Sequence, residues 1–233
     1  MAETVKTEQN LDELFKVGAH FGFGKSRRHP SAVPYIFGSK NRVDIFDLEK
    51  TQDSLNKAME LVASLAAANS VILFVGGKNE AQEIIKETAE KINMPYLAGR
   101  WIGGTLTNFP EIRKRIDMML NLLSQKEKGE LAKYTKKERL LIDKKIEKLQ
   151  KMFGGIKDMV ALPKALFIVD PRYEETALRE AQNLNIPVIA LCGSDNNVAN
   201  IDYPILANDS NMASIRFFVE KIAESYNKGK KTV

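Results

Sequence analysis

Three sets of side chains in this chain have the types and spacing to do chemistry, and each points to a different function. The first is Gly76-Gly77-Lys78, which lies between an apolar run and a helical pattern. In that context backbone N–H groups and an ammonium can cradle a phosphate. The turn has neither the G-x-G-x-x-G nor the G-x-x-x-x-G-K-[ST] spacing, so an ordinary strand-to-helix turn is the simpler reading. A nucleotide-dependent enzyme using this crevice together with Asp170 is the alternative function. The second set, of nucleophiles and metal ligands, is sparse. Cys192 sits at the end of an apolar strand, where a lone thiol is usually a small buried side chain. His20 and His29 are the only histidines, which leaves little material for a Cys–His or Ser–His–Asp arrangement. His20 with Asp195, Asp202 or Asp209 would form a weak metal site only if the N-terminal loop packed over the sheet edge. No catalytic residue, metal or cofactor is expected.

The third set is cationic. From Asn108 to Lys157 there are fourteen Lys or Arg against seven Asp or Glu, a local net of +7. The whole chain carries 35 against 30, so the remainder is 21 against 23, or −2. The excess positive charge sits in one excursion from a nearly neutral body, the pattern of a surface for a polyanion. Arg113, Lys114, Arg115, Lys133, Lys136, Lys137, Lys144 and Lys148 are the cations expected to meet phosphate there. A second candidate loop holds Lys25, Arg27, Arg28 and His29. A third is Arg100-Trp101-Ile102-Gly103-Gly104-Thr105-Leu106-Thr107-Asn108, whose glycines allow close backbone approach and whose Arg100, Thr105 and Asn108 can donate to phosphate and sugar. A lone Trp is usually core and Trp101 reads as partly buried, but it is included because it sits between Gly99 and Gly103-Gly104. Two such loops and a basic arm suit a folded RNA read by shape and backbone, and no recognition helix for duplex DNA is evident.

The elements that must position these groups follow from periodicity. Ile112, Ile116, Met119, Leu120 and Leu123 recur at helical spacing, as do Leu141, Ile142, Ile146, Leu149 and Phe153. Gly129 stops the first helix, and Thr135 with Glu138 forms a capping box for the second. Each stripe is narrow, so the two arms zip together without a large core. Around this hairpin the chain alternates between strand and helix. Val71–Val75, Pro95–Leu97, Ala165–Val169, Pro187–Cys192 and Tyr203–Leu206 read as five strands separated by helices starting near Thr51 and covering about 80–92 and 173–184, with a last helix after Asp209. Continuous apolar strands imply a parallel sheet covered on both faces. Before it, Tyr35–Phe37 and Val43–Phe46 flank a four-residue turn and predict a β-hairpin. Asn10 with Glu13 caps a short first helix that Gly18 ends, residues 1–9 read as loose, and Ala19–Pro30 reads as a glycine-rich loop.

At 233 residues and 44% hydrophobic content, the chain can bury one good core with an appendage. No apolar run approaches the ~20 residues that span a bilayer, and Met1–Lys6 lacks the apolar core of a signal peptide. A single cysteine excludes an internal disulfide. A cytoplasmic location is expected.

Several blocks resemble a known family. They include Phe15–Gly22, Tyr35–Gly38, Ile45–Thr51, Arg100–Asn108, Phe153–Met159, Leu162-Pro163, Leu166–Asp170 and Asn185–Val188. In this order they are similar to the bacterial small-subunit ribosomal protein two family. The resemblance runs from about residue 11 to 226. It implies a flavodoxin-like α/β three-layer sandwich with a five-stranded parallel sheet, an N-terminal β-hairpin and an inserted coiled-coil hairpin. The domain plan is then an α/β globular domain over 1–108 and 156–227, the basic hairpin over 109–155, and a basic tail over 228–233. The resemblance further implies a non-catalytic ribosomal component that binds small-subunit rRNA and bridges the head and body of the subunit. Ribosomal protein one, where present, is implied as a neighbour that it helps to seat. Phe23 stands where the family usually has a second histidine, and Leu191–Asn197 differs from the family's usual Val-Asp-Thr-Asn; both weigh against a metal site.

Overall fold

A computed structural model describes residues 11–231, so the segment 1–9 and the Asn10 cap lie outside the described residues. Helix α1 (11–16) ends where Gly18 takes a φ of +71°, a left-handed conformation that costs glycine nothing. Strands β1 (Phe21–Gly24), β2 (Ile36–Lys40) and β3 (Val43–Phe46) form a small antiparallel sheet in the order β1-β3-β2. The hairpin closes more tightly than its sequence predicts. Asn41 and Arg42, at φ 53° and 64°, form a two-residue turn with both residues left-handed, which matches the twist of the flanking strands. The Phe21-Gly22-Phe23-Gly24 stretch is a strand and not a loop, because Phe21 and Gly24 pair with Ile45 and Val43.

The main sheet is built from β4 (Ile72–Val75), β5 (Tyr96–Leu97), β6 (Ala165–Val169), β7 (Val188–Cys192) and β8 (Tyr203–Leu206). All neighbours are parallel and the order is β5-β4-β6-β7-β8. Successive side chains enter opposite faces. Ile72, Phe74, Phe167, Ile189 and Ile205 pack beneath α2 (Leu48–Ala67), α3 (Asn79–Lys91) and α7 (Met212–Lys231). Leu73, Val75, Leu166, Ile168 and Ala190 pack on the other side against α6 (Glu175–Asn183) and the inserted segment. Helix α2 starts before Thr51 because Asp47 caps it, its carboxylate accepting from the Glu49 N–H at 3.2 Å. One expectation is corrected here: residues 193–202 join β7 to β8 as a loop with no helix. Helix α7 runs on through residues 228–231 of the basic tail.

The insertion between β5 and β6 is the expected hairpin, α4 (Phe109–Glu127) and α5 (Lys136–Phe153). Gly129 breaks the first helix at φ +73°. The Thr135–Glu138 capping box is present, with the Thr135 N–H donating to Glu138 Oε2 at 2.9 Å. Ile112, Ile116, Met119, Ile146, Leu149 and Phe153 are buried. Leu120 and Leu141, read as stripe residues, remain on the surface. The Lys126 ammonium donates to Asp143 at 2.6 Å across the two helices.

The arm's root belongs to the body. Phe109, Ile112, Ile116, Phe153 and Ile156 share one core with the sheet, and Arg113 donates to the carbonyls of Lys157 and Met159 at 3.0 and 3.2 Å. Gly155 marks the closest approach: a Cβ there would lie 2.2 Å from the Tyr96 carbonyl oxygen. Backbone cannot yield as a flexible side chain can. Gly155→Ala is therefore expected to cost about 1–3 kcal/mol through overpacking, read as a lower urea midpoint at unchanged slope.

Candidate nucleic-acid interface

The loop that feeds the arm is organised by one carboxylate. Glu180, on α6 and 6% exposed, accepts from Trp101 Nε1 at 3.0 Å and from the backbone N–H groups of Gly104, Leu106 and Thr107 at 2.7, 2.9 and 3.1 Å. The Thr107 hydroxyl donates a fifth bond at 3.1 Å. Gly104 sits at φ +89°, which bends the loop around the carboxylate. Burial opposes ionisation of Glu180, but donation from Trp101, Thr107, Leu106 and Gly104 outweighs it and holds the pKa below the usual carboxylate value.

This arrangement corrects two of the expected contacts. Trp101 is buried, and its only donor is committed to Glu180. Thr105 is buried as well, its hydroxyl donating to the Ile102 carbonyl at 2.6 Å. Both shape the loop and neither presents a group to a partner. Glu180 escaped the sequence reading because a glutamate in a short amphipathic helix looks like any solvated residue.

The remaining expected cations fall into two places. On the arm, Arg115, Lys133, Lys136, Lys137, Lys144 and Lys148 are exposed. Lys137, Lys144 and Lys148, with Lys151, are spaced as one row along α5, opposite the buried Ile146-Leu149-Phe153 row. Lys133 lies 5.5 Å from the Tyr134 ring centroid. Lys114 pairs with Glu111 at 2.6 Å, and Arg113 pairs with Asp117 besides clasping the arm's root. Near the root, the exposed Arg100 lines a 190 Å³ recess with Lys86 and Lys151, and Asn108 is exposed at the α4 N-terminus without capping it.

The second place is the N-terminal loop. Lys25 and Arg27 are exposed, and the Arg27 guanidinium lies 5.8 Å from the Phe23 ring. Arg28 is used internally. Its Nε donates to the fully buried Asp44 at 2.7 Å, its second nitrogen pairs with the same carboxylate, and it also donates to Ser39 at 3.0 Å. The His29 ring is held by Ser31 at 2.8 Å. Arg27, Arg28 and His29 line a groove shared with Arg172 and Arg179, two arginines the sequence reading left out because they lie far away along the chain.

The crevice of the enzyme alternative is filled by the protein itself. Gly77 N–H donates to Glu174 Oε1 at 2.9 Å, so a carboxylate sits where a phosphate would bind. A Cβ on Gly77 would lie 2.2 Å from Glu174 Oε1 and 2.7 Å from the Gly99 carbonyl, so both pack directly against the turn. Burial pushes the Glu174 carboxyl up to about 7 although the Gly77 N–H pulls it down. Lys78 pairs with Asp170 at 3.2 Å and Asp209 at 3.5 Å. The proposed aspartates also separate. Asp202 precedes β8 and accepts from the Val188 N–H at 2.9 Å, at the opposite edge of the sheet from Asp195 and Asp209. Among the described residues no group of three His, Cys, Asp or Glu side chains is placed to hold a metal ion.

These features define a class: a doubly wound α/β sandwich whose ligand crevice is plugged and whose sheet crossover carries a rigidly rooted cationic arm. The family model described as ribosomal protein S2 matches residues 14–229. The chain is similar to the small ribosomal subunit protein uS2 of Roseiflexus castenholzii, with 45% identity over 221 residues, covering 95% of this chain and 84% of that protein. It is also similar to the protein of the same name from Psychrobacter cryohalolentis, 41% identical over 230 residues, covering 99% of this chain and 87% of that one. The chain belongs to the ribosomal protein S2 family.

Removing the Glu180 charge tests what holds the loop. Glu180→Gln keeps the size but faces several donors with a donor of its own, so a loss of about 2–4 kcal/mol in unfolding free energy is expected. Because the folded pKa is depressed, the stabilisation is present above the unfolded value of about 4.3 and fades as pH falls through the folded one. The wild type should therefore lose stability below about pH 4.3 more steeply than Glu180→Gln does. Superimposable acid limbs would dismiss the role.

Proposed function

We propose that the chain is a structural constituent of the small ribosomal subunit that lays its hairpin against rRNA and performs no catalysis. The observation that carries this reading is the row of lysines on α5. Lys137, Lys144, Lys148 and Lys151 form it, Lys136 and Lys145 flank it, and all are exposed without a carboxylate partner among the described residues, so their charge is available to phosphate. Arg115 and Lys133 extend the same surface, and Arg100 and Asn108 lie at its root. The family membership supports the ribosomal setting, since the relatives bear the name of a small-subunit protein. A two-sided body with a long arm also suits a bridge between the head and body of the subunit, and ribosomal protein one is the neighbour to be seated against the globular part. Arg113 serves chiefly to fix the arm, since its guanidinium holds the Lys157 and Met159 carbonyls, while Lys114 stays exposed beside Glu111 on the same helix and remains a contact candidate.

Binding that rests on several phosphate contacts must weaken steeply with salt. Each contact contributes a log–log slope of about −0.7 to −0.9. The triple variant Lys136→Glu, Lys137→Glu and Lys144→Glu is therefore expected to flatten the slope for a small-subunit rRNA fragment by about two to three. It should also reduce co-sedimentation with small subunits on a sucrose gradient. An unaltered slope with full incorporation would rule out the arm as the contact surface.

A further inference from the structure

The hairpin is not built evenly along its length. Near the body its apolar stripe is packed: Ile112, Ile116, Met119, Ile146, Leu149 and Phe153 are buried, and all but Ile146 share one core with the sheet. Leu123 still rests against that core. Beyond these positions the support runs out. Of residues 124–145, every one of them described, Leu131 is the one buried side chain. Ile142 is half-buried on the seam, while Leu140 and Leu141 stand 55% and 58% exposed on the outer face of α5.

The bonds in this outer part are local or exposed. The Thr135–Glu138 box ties the start of α5 to itself. The Lys126–Asp143 pair crosses between the helices, but both its ends are half in solvent, where an ion pair adds little. The helical pieces are also short. Helix α4 contributes 124–127 and α5 contributes 136–145, below the ~12–15 residues at which an isolated helix becomes even marginally stable in water. Little apolar burial and backbone bonds open to water are the conditions for local unfolding. Charge pulls the same way. Residues 124–145 carry eight Lys or Arg against four Asp or Glu, a net of +4, and zipping the two arms brings those cations together. A polyanion along the arm relieves that repulsion and favours the closed form by mass action.

We propose that residues 124–145 form a separate opening unit, which unzips while the root of the arm stays folded and is closed by a polyanion laid along it. The opening stands on burial and helix length alone. What closes it rests on the phosphate-contact reading of the arm, and it makes that contact a coupled step in which the outer lysines are ordered as they are used.

Hydrogen exchange on the full chain reads the unit directly. Amides within 124–145 are expected to exchange about a hundredfold faster than those of 112–119 and 146–153. Equal protection along both helices would overturn the proposal. Two truncations separate the unit from the body. Leu131→Ala should speed the outer exchange about tenfold and leave the urea midpoint of the chain in place, whereas Ile116→Ala at the root should lower that midpoint. A midpoint lowered as much by Leu131→Ala as by Ile116→Ala would make the arm one cooperative piece and overturn the unit. Closure is read by the same exchange with two probes, polyphosphate and a small-subunit rRNA fragment. Slowing of about tenfold by both, with the root unchanged, supports closure by a polyanion. Slowing by polyphosphate alone supports the closing unit and counts against the rRNA reading of the arm. Slowing by neither, or by the rRNA fragment alone, overturns closure by charge.

Discussion

An arm inserted into a sheet crossover is useful only if its direction is fixed, and here one buried carboxylate fixes it. Glu180 collects five donors from the Trp101–Thr107 loop. Bonds to an ionised acceptor are the stronger kind, and their geometry leaves the loop little freedom. The loop runs directly into α4, whose first turns are packed into the sheet core through Phe109 and Ile112. Arg113 then clasps the outgoing and returning chain by donating to Lys157 and Met159 carbonyls. Body, loop and arm are thus joined firmly at the root, while further out the narrow stripe, the buried Leu131 of the turn and the Lys126–Asp143 pair hold the helices together.

That rigidity matters because the charge acts at short range. At physiological salt the field of an exposed lysine decays over about 8 Å. The row from Lys137 to Lys151 runs about 20 Å along α5. If the arm meets a folded RNA as proposed, no single phosphate feels the whole row, and attraction alone would not orient it. On that reading the orientation comes from the protein, through the Glu180 hub and the packed root. Arg113 and Arg28 are committed inside the chain despite their charge: each joins two of its segments.

Much of this plan can be read in the residues and some of it cannot. The hairpin was legible because a stripe of period 3.6, a stop glycine and a capping box agree over residues 109–155. The five strands were legible as apolar runs buried on both faces. The small β1 strand was not, since Phe21-Gly22-Phe23-Gly24 has the composition of a loop and acquires its structure only by pairing with β3. Long-range partners were the larger gap. Trp101 and Thr105 look exposed in a glycine-rich stretch until Glu180, seventy-nine residues beyond Trp101, is placed beneath them. Arg28 reads as a free cation until Asp44 is found fully buried against it. Charge counts can locate a basic region, but they cannot say which cations are already paired.

The same distinction decides between scaffold and enzyme. A doubly wound sheet ordinarily offers a crevice at its carboxyl edge, and the sequence has a glycine turn there. In the folded chain Glu174 occupies that turn, and Lys78 fills the space between Asp170 and Asp209. The filling has a cost. Burial raises the Glu174 and Asp209 carboxyls to about 7, so as pH rises from the ordinary carboxylate range towards that value the folded chain keeps protons that the unfolded chain releases, and stability falls. The Gly77 N–H and the Lys78 ammonium offset part of that cost. A closed edge of this kind trades a ligand site for a body that ties β4, β6 and β8 together. The open ground shifts to the β7–β8 side, where a loop takes the place of a helix and where Arg172 and Arg179 face solvent. In this chain, then, the exposed cations are the ones the core does not need: the outer row of α5, and Arg172 and Arg179 beside α6.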